Sequence, residues 1–321
     1  MSETAVTETA VSEPRSYYGQ PILQEPTWTW EIPAYLFAGG LAGASAGLAY
    51  LSSVRGDQVT AKRAWTAALA GIAASPPLLI SDLGRPERFY QMLRMFKVTS
   101  PMSMGSWILS VSGSTTAIAA ANAWLGLFPR LSRIARPVAA VSGLALSTYT
   151  GALVTNTAVP VWHEARTTIP FVFAAGAALS AGAATTLGAA PDRVAAARHL
   201  AVGGSLAELT AHTAMKRGLG VHAEVYKQGA AQRFEQVARA GLAAGTALML
   251  GPARRSRVAA TAAGALMLTG AVATRWSIYK AGFISAADPK YVVGPQRAGI
   301  RAGERPGGAR TEPRARSTPA A

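Results

Sequence analysis

Long apolar stretches separated by short polar connections dominate the chain from residue 33 to residue 274. A helix that crosses a membrane needs about 20 mostly apolar residues. The stretches that meet this pattern lie at 33–53, 64–80, 104–126, 137–157, 168–188, 199–214, 236–251 and 256–274. They predict an all-α fold, namely a polytopic integral membrane bundle of about eight transmembrane helices.

The predicted helices are rich in Ala, Gly and Ser, which allow helices to approach closely in lipid. Gly39, Gly43 and Gly47 recur every four residues and therefore share one face of the first helix. We expect this face to pack against a neighbouring helix, although plain small-residue filler would give the same spacing.

The composition agrees with a membrane protein: 50% of the residues are hydrophobic and 15% are charged. The chain has no cysteine, which excludes disulfides, thiolate zinc sites and cysteine-held iron–sulfur clusters within it. The net charge of +15 comes from Lys and Arg in short loops and in an Arg-rich tail. Membrane topology explains this distribution better than nucleic-acid binding does.

The composition also predicts three regions. Residues 1–25 carry scattered acids and no apolar core, so we expect a disordered extracytoplasmic N-terminal tail and not a cleaved signal peptide. Residues 26–280 form the predicted eight-helix membrane domain. Residues 281–321 form the predicted C-terminal tail, which is basic and largely disordered.

Alternate connections differ in their basic residues, and Lys and Arg near helix ends are held on the cytoplasmic side. The compact basic set contains Arg55, Lys62, Arg63, Arg130, Arg133, Arg136, Arg193, Arg198, Arg254, Arg255 and Arg257. The other set is longer and more dilute. Both termini are therefore expected outside, provided that the short stretch 199–214 spans the membrane.

The second connection is the richest polar segment, running from Ser81 to Arg94. Pro76 and Pro77 are expected to break the preceding helix and open a cavity. Asp82 with Arg85 or Arg88 could serve as a proton entry or as a docking surface for an anionic protein face. An ordinary capped loop with paired ions is the alternative.

Several motifs occur in the order typical of one family. They are Trp30-Glu31-Ile32-Pro33, the Ser81–Arg94 connection, Ser100-Pro101-Met102-Ser103-Met104-Gly105-Ser106-Trp107, Tyr149-Thr150-Gly151 and Pro160-Val161-Trp162-His163. Over roughly residues 17–280 the chain resembles the NrfD family, the membrane subunits of polysulfide reductase-like complexes.

This resemblance implies an eight-helix quinone-reactive subunit without haem in a prokaryotic plasma membrane. It implies a menaquinone or ubiquinone site, a docked iron–sulfur electron-transfer subunit and, through it, a molybdenum or tungsten catalytic subunit. The partner is expected on the side of the N-terminus, where Arg85, Arg88, Arg94 and Arg166 are candidate docking residues.

The four histidines also disfavour haem, which normally needs histidines that face one another across two helices. His163 and His222 fall in predicted connections. His199 and His212 share one segment and would lie about 20 Å apart along it. No metal site is predicted. A quinone needs only an apolar slot, hydrogen-bond partners for its carbonyl oxygens and a proton path.

Trp28, Glu31 and Tyr35 supply such partners at the mouth of the first helix. Glu31 could accept a proton from quinol, and Tyr35 could hydrogen-bond a carbonyl. The alternative is structural, because a carboxylate is stabilised at a helix N-terminus and Trp favours membrane interfaces.

Three further quinone candidates lie later in the chain. Tyr149 and Asn156 fall seven residues apart on one face of the fourth predicted helix. Asn156 could instead satisfy a backbone carbonyl. His163 could shuttle protons, although a loop histidine beside Trp is more often an interface residue.

Glu208 and His212 share a face of the sixth predicted helix. Ionisable groups inside a membrane are candidates for function, so the pair could form part of a proton path from the opposite side. A pair satisfied within the bundle is equally consistent with the sequence. The catalytic candidates are therefore Glu31, Asp82, Glu208 and His212.

Two other functions fit an apolar bundle with buried charge. A stand-alone transporter or ion channel would show broken helices and buried ions, but the two halves of the chain show no internal repeat. A purely structural anchor would retain the fold without quinone chemistry.

Overall fold

The part of the chain that the structure describes is helical throughout. The structure is a computed structural model, and it describes residues 22–301. Within that range eight long helices occur, with no strand among them. They are α1 (Glu31–Val54), α2 (Gln58–Ser81), α3 (Pro101–Leu125), α4 (Pro129–Thr155), α6 (Ile169–Thr186), α7 (Ala195–Gly218), α8 (Gly229–Leu250) and α9 (Arg257–Ala287). The all-α prediction is confirmed.

Shorter helices lie in the connections and after α9. They are α5 (Pro160–Glu164), α10 (Lys290–Arg301) and 3₁₀ helices at Pro86–Leu93, Pro191–Val194, Gly220–Lys227 and Pro252–Arg254. Each predicted apolar stretch falls largely within one long helix, and most of these helices extend further at one or both ends.

Five of the long helices are sufficiently long and apolar to cross a membrane by length and composition. They are α1, α2, α4, α6 and α9. Helices α7 and α8 carry ionisable side chains inside their apolar stretches, among them Glu208 and Arg239.

Side chains and prolines begin the helices at the expected positions. Asp57 accepts a hydrogen bond from the backbone N–H of Thr60 at the start of α2, and Ser256 does the same for Ala259 in α9. Such caps satisfy N–H groups that have no partner within the helix. Pro101 and Pro129 occupy the first turns of α3 and α4, where their missing N–H costs nothing.

The predicted break at Pro76 and Pro77 is wrong. Helix α2 continues through both prolines to Ser81. Each proline removes only the bond that its own N–H would make to the carbonyl four positions earlier, and helices in membranes tolerate such losses. The expected cavity is nevertheless present, since Pro76 lines a pocket of about 420 Å³ between α2 and α3.

The bundle consists of two groups of helices. Helices α1 to α4 form the first and α6 to α9 the second, and α6 joins them by packing on both α1 and α4. The small-residue face of α1 packs on α4, as expected. Gly43 lies against Gly143, whereas Gly39 and Gly47 face the side chains of Thr150 and Leu144.

The two sets of connections lie at opposite ends of the bundle. At one end, called here the Arg55 end, Thr60 of α2 donates to the carbonyl of Arg193 and Arg257 of α9 donates to that of Gly188. At the other, the Glu31 end, the ring of Trp28 stacks on that of Trp162. The compact basic connections share the Arg55 end.

The helical domain extends past the predicted boundary at residue 280. That position lies inside α9, which ends at Ala287, and α10 follows. Tyr291 is buried, and its backbone carbonyl contacts the His222 ring at 3.0 Å. Apolar contacts thus hold a segment whose composition resembles a tail. The predicted tails at 1–21 and 302–321 lie outside the described residues.

Candidate functional site

Aromatic rings gather at the Glu31 end of the bundle. The Trp28 and Trp162 rings stack with their centroids 5.3 Å apart, and Phe283 meets Trp162 edge-on at 6.5 Å. The Trp162 indole N–H donates to the Ile278 carbonyl at 2.7 Å. Gly282 leaves the room for the Trp162 ring, since a Cβ atom there would overlap it. The cluster therefore fixes α5 against α9.

Tyr279 ties the segment before α1 to this cluster. Its hydroxyl donates a hydrogen bond to the Trp28 carbonyl at 2.6 Å. The Tyr279 ring also packs against Phe283, with the centroids 4.8 Å apart. Trp28 is thus held through both its ring and its backbone, and the chain enters α1 in a defined position.

The Thr29 hydroxyl brings two carboxyl groups together. It donates to Asp82 Oδ1 at 2.8 Å, and the Thr29 backbone N–H donates to the same oxygen at 3.1 Å. The same hydroxyl contacts Glu31 Oε2. Glu31 begins α1 and Asp82 follows the last residue of α2, so the helix ends set this arrangement.

A hydroxyl carries one proton and can donate it to only one of these carboxyl groups. The Thr29 hydroxyl therefore brings the two carboxyl groups within reach of one shared hydrogen-bonding group.

An apolar pocket lies beside the last turns of α2, which end next to Asp82 in the sequence. It has a volume of about 420 Å³ and lies between α2, α3 and the 3₁₀ helix Pro86–Leu93. Leu79 and Ile80 line it, only two or three positions before Asp82, and Phe89 and Leu109 close other sides. Pockets of about 300–1,000 Å³ with mostly apolar walls are typical of ligand sites.

Tyr35 and Tyr149 both lie in the interior beneath the mouth. Tyr35 is buried, and Tyr149 packs against the same apolar cluster. The Tyr149 hydroxyl donates to the Pro101 carbonyl at 2.5 Å, and its ring fills the space over Gly105. Tyr149 therefore anchors the start of α3, and its hydroxyl oxygen can still accept a hydrogen bond.

Asn156 and His163 lie at the same end but on its surface. Asn156 follows the last residue of α4, and both side chains are exposed. Within residues 22–301 no hydrogen bond joins either side chain to Glu31 or Asp82. The structure thus gathers Trp28, Glu31 and Asp82 and leaves these two residues apart from them.

Arg85, Arg88, Arg94 and Arg166 are exposed at the Glu31 end. The first three border or belong to the Pro86–Leu93 3₁₀ helix, where Phe89 and Tyr90 are also exposed. The Arg166 guanidinium donates to the His163 carbonyl at 3.1 Å. Basic and aromatic side chains therefore share this surface.

A second polar group is buried between α6, α7 and α9. Arg275 Nη1 lies 3.7 Å from Glu208 Oε1, and the two side chains are 2% and 1% exposed. Arg275 also donates to the Phe173 carbonyl at 3.0 Å and lies over the Phe173 ring at 4.0 Å. Gly176 makes room for the pair, because a Cβ atom there would meet both.

From this pair, ionisable groups continue toward the Glu31 end. His212 lies one turn further along α7, and its ring meets that of Tyr226 edge-on at 5.6 Å. Tyr226 lines a surface pocket of about 250 Å³ together with Lys216, Glu235 and Arg239. Glu235 pairs with Lys216 and, at 2.6 Å, with Arg239. The described contacts therefore run to the end that holds Glu31 and not to the opposite end.

Several polar atoms in this group have no hydrogen-bond partner in the protein. Within the described residues the atoms without a hydrogen-bond partner include both carboxyl oxygens of Glu208, whose contact with Arg275 is an ion pair, and also His212 Nε2, Arg275 Nε and the Tyr226 hydroxyl. Burial, followed by the charge of Glu235, raises the pKa of Tyr226 above its ordinary value. The Tyr226 hydroxyl therefore keeps its proton at neutral pH and can donate it in a hydrogen bond.

Sequence reasoning missed Thr29, Tyr226, Arg275 and Tyr279. Thr29 lies between Trp28 and Trp30 at the entry to the first helix, so the candidate residues around it could have indicated a role for Thr29. Arg275 comes directly after the last predicted stretch, which ended at residue 274, and therefore looked like a loop residue. The extension of α9 to Ala287 places it inside the bundle.

The comparison with known proteins agrees with the resemblance carried by the motifs. The model of the family described as polysulphide reductase, NrfD, matches residues 22–287. No curated protein is significantly similar to the chain in sequence. The matched region contains all eight long helices and both polar groups described above. The chain therefore belongs to the NrfD family, the multi-pass membrane subunits of polysulphide reductase-type complexes.

Proposed function

We propose that the chain is the quinone-binding anchor of a multi-subunit oxidoreductase in a prokaryotic plasma membrane. It passes electrons between a menaquinone or ubiquinone pool and a docked iron–sulfur subunit linked to a molybdenum or tungsten catalytic subunit. The observation that carries the proposal is the pair of carboxyl groups, Glu31 and Asp82, on the Thr29 hydroxyl beside an apolar pocket.

Quinone reduction and quinol oxidation each move two protons, so the headgroup site needs groups that exchange protons readily. Glu31 and Asp82 supply two carboxyl groups within reach of one hydroxyl. The apolar pocket below Asp82 suits the ring and the first part of the isoprenoid tail of a quinone. Trp28 keeps the mouth in position through its ring and its carbonyl.

The electron-transfer partner docks, in this proposal, at the Glu31 end. Arg85, Arg88, Arg94 and Arg166 are exposed there beside Phe89 and Tyr90. Arginine and aromatic residues are enriched at protein interfaces. The compact basic connections at the Arg55 end support a cytoplasmic position for that end, and we propose that the Glu31 end and both termini face the outside.

The buried group around Glu208 and His212 is a candidate proton path for this chemistry. Its unpartnered atoms favour ordered water, because buried polar groups without protein partners usually bind it. The contacts from His212 through Tyr226 to the pocket at Glu235 lead out at the Glu31 end. Protons used or released at Glu31 would then exchange with the same side of the membrane.

Substitution of the carboxyl pair tests the proposal. Glu31→Gln and Asp82→Asn preserve the shape and the hydrogen bonds to Thr29 but remove proton exchange. Each is expected to lower quinol turnover at least about tenfold, since general acid–base groups contribute about 10²–10⁴-fold. Partner subunits should remain bound. Glu164→Gln, an exposed carboxyl at the same end, is the matched control.

Turnover equal to wild type in both variants would remove the pair from the mechanism and favour a purely structural anchor. Purification in mild detergent separates the proposal from the transporter alternative. Stoichiometric iron, with molybdenum or tungsten in a large co-purifying subunit, is expected. A chain that remains alone and free of metal, under conditions that keep other complexes intact, would favour a transporter.

A further inference from the structure

A deep apolar groove opens on the surface of the bundle toward the Arg55 end. Its volume is about 560 Å³, which is within the range of about 300–1,000 Å³ typical of ligand pockets. Helix α6 forms its floor, α1 and α4 form one side and α7 forms the other. All three side helices pack on α6, whereas α7 makes no more than marginal contact with α1 or α4. The groove is the gap that separates α7 from α1 and α4.

Small residues give the groove its depth, and larger apolar residues form its rim. The small lining residues are Ala44, Gly47, Ala140, Ala178 and Ala196. On the rim, Leu51, Val141 and Leu144 are 54%, 71% and 58% exposed. Because these helices lie in a membrane, such exposed side chains face lipid. The shape and chemistry of the groove therefore suit a flexible hydrocarbon chain.

The mouth of the groove is polar and carries an unpaired cation. It is lined by Tyr50, Ser52, Arg55 and Asp57. Asp57 uses its carboxylate to cap α2 by accepting from the Thr60 N–H. The ion pairs formed within residues 22–301 do not include Arg55. Its exposed guanidinium is thus available to a ligand.

The charge around this mouth favours an anionic headgroup. The connections at the Arg55 end and the helix turns beside them carry eleven Lys and Arg residues, against the two acids Asp57 and Asp192. A guanidinium binds phosphate through two parallel hydrogen bonds. Basic pockets between transmembrane helices are known to bind anionic lipid headgroups.

We propose that this groove is a binding site for an anionic phospholipid. One acyl chain lies along the groove between α1, α4 and α7, and the phosphate is bound by Arg55. A quinone is a weaker candidate, because its neutral headgroup cannot form an ion pair with the Arg55 guanidinium. A zwitterionic phospholipid gains from the apolar walls but not from the net positive charge around the mouth. The site is separate from the Glu31 end, so it does not depend on the proposed quinone chemistry.

Lipid titration of the purified full-length chain, with any subunits that it retains, tests this site. The probes are dioleoylphosphatidylglycerol and dioleoylphosphatidylcholine, which share acyl chains and differ in charge. Native mass spectrometry counts the bound lipid. The anionic lipid is expected to bind about fivefold more tightly, since one Arg near an anionic lipid contributes about that factor.

Arg55→Gln should remove this preference and leave the zwitterionic lipid unaffected. Arg130→Gln is the matched control, because Arg130 lies at the same end but does not line the groove. Leu144→Trp fills the groove from its exposed rim, and it should weaken both lipids by a similar factor. Thermal unfolding without added lipid verifies that each variant is folded.

Equal binding of the two lipids to the wild type would overturn the proposal. It would also be overturned if Arg55→Gln and Arg130→Gln lowered anionic lipid binding equally, because the charge would then act without a site. Retained binding in a folded Leu144→Trp variant would place the lipid elsewhere. Loss of a co-purifying quinone from that variant would assign the groove to quinone instead.

Discussion

Gly43 of α1 and Gly143 of α4 lie so close together that a Cβ atom on either glycine would overlap the backbone of the other. The contact lies at the centre of the seam between these two helices. It allows their backbones to approach as small residues do in membrane bundles. The seam sets the position of Glu31 at one end of α1 and of Arg55 at the other.

Gly43→Ala is expected to destabilise the bundle. The added methyl group forces α1 and α4 apart, and overpacking of this kind costs about 1–3 kcal/mol. The midpoint of thermal unfolding in detergent should fall. Gly47→Ala is the matched control, because the nearest side-chain atoms of Leu144 lie at 3.7 and 4.0 Å and leave room. Equal stability of the two variants would contradict the close approach.

Arg275→Met should lower the stability of the bundle more than removal of both buried charges does. It leaves Glu208 without its counter-ion inside the bundle, and breaking a buried pair from one side costs about 3–5 kcal/mol. The double variant Glu208→Gln, Arg275→Met removes both charges and should recover part of this loss. Expression level and unfolding midpoint measure the effect. A double variant less stable than Arg275→Met would refute the pairing.

Tyr279→Phe should make the segment around Trp28, before α1, less firmly held, without disturbing the binding of partner subunits. The change removes one hydrogen bond, that to the Trp28 carbonyl, which contributes about 0.5–1.5 kcal/mol. If Trp28 positions the headgroup site, quinol turnover should fall about twofold to tenfold, with the partner subunits still bound. Tyr291→Phe also removes one hydrogen bond, that from the Gln228 amide, but not one to Trp28, and it serves as the control. Unchanged turnover with an unchanged Trp fluorescence spectrum would count against this role.

Arg63→Met should weaken the end of α6. The Arg63 guanidinium donates to the Thr185 carbonyl at 2.9 Å and to that of Leu187. These carbonyls have no partner within the helix and carry the negative end of its dipole. We expect a loss of about 1–2 kcal/mol, measured by thermal unfolding. Arg63→Lys should recover the charge but not both bonds, so its stability should lie between those of wild type and Arg63→Met. An unfolding midpoint for Arg63→Lys below that for Arg63→Met would contradict a stabilising role for the charge at this helix end.

Charge reversal at Arg88 should weaken docking of the electron-transfer partner. Arg88→Glu places a negative charge on the proposed docking surface, and such changes act mainly on association. Co-purification at low salt should fall about fivefold to tenfold, and the difference should shrink at high salt because exposed charges are screened. Arg130→Glu, at the opposite end, should have no effect. Equal losses in both variants would rule out a specific surface at the Glu31 end.

Much of the fold depends on local properties of the sequence. Each long helix was predicted from apolar length alone, because a segment buried in lipid must satisfy its own backbone hydrogen bonds. The packing face formed by Gly39, Gly43 and Gly47 on α1 was also predicted from local sequence, because residues four apart lie on the same face of a helix. The break at Pro76 was predicted wrongly because each proline removes only its own hydrogen bond, and a helix in a membrane bundle can continue past that loss.

The candidate site was predicted only in part. Trp28 and Glu31 were recognised from their place at a helix mouth, and Asp82 from its polar connection. Their meeting at the Thr29 hydroxyl was not predicted, since Thr29 and Asp82 lie 53 positions apart in the sequence. Nothing local to either residue encodes that contact.

The sequence by itself determined the helices, their order and the ends at which the basic connections lie, because each depends on composition within a few turns. Tertiary structure decided which faces meet. It placed Arg275 beside Glu208, directed the buried polar contacts toward the Glu31 end and left a groove between α7 and α1. These features depend on how closely small residues let distant helices approach, and no single segment contains that information.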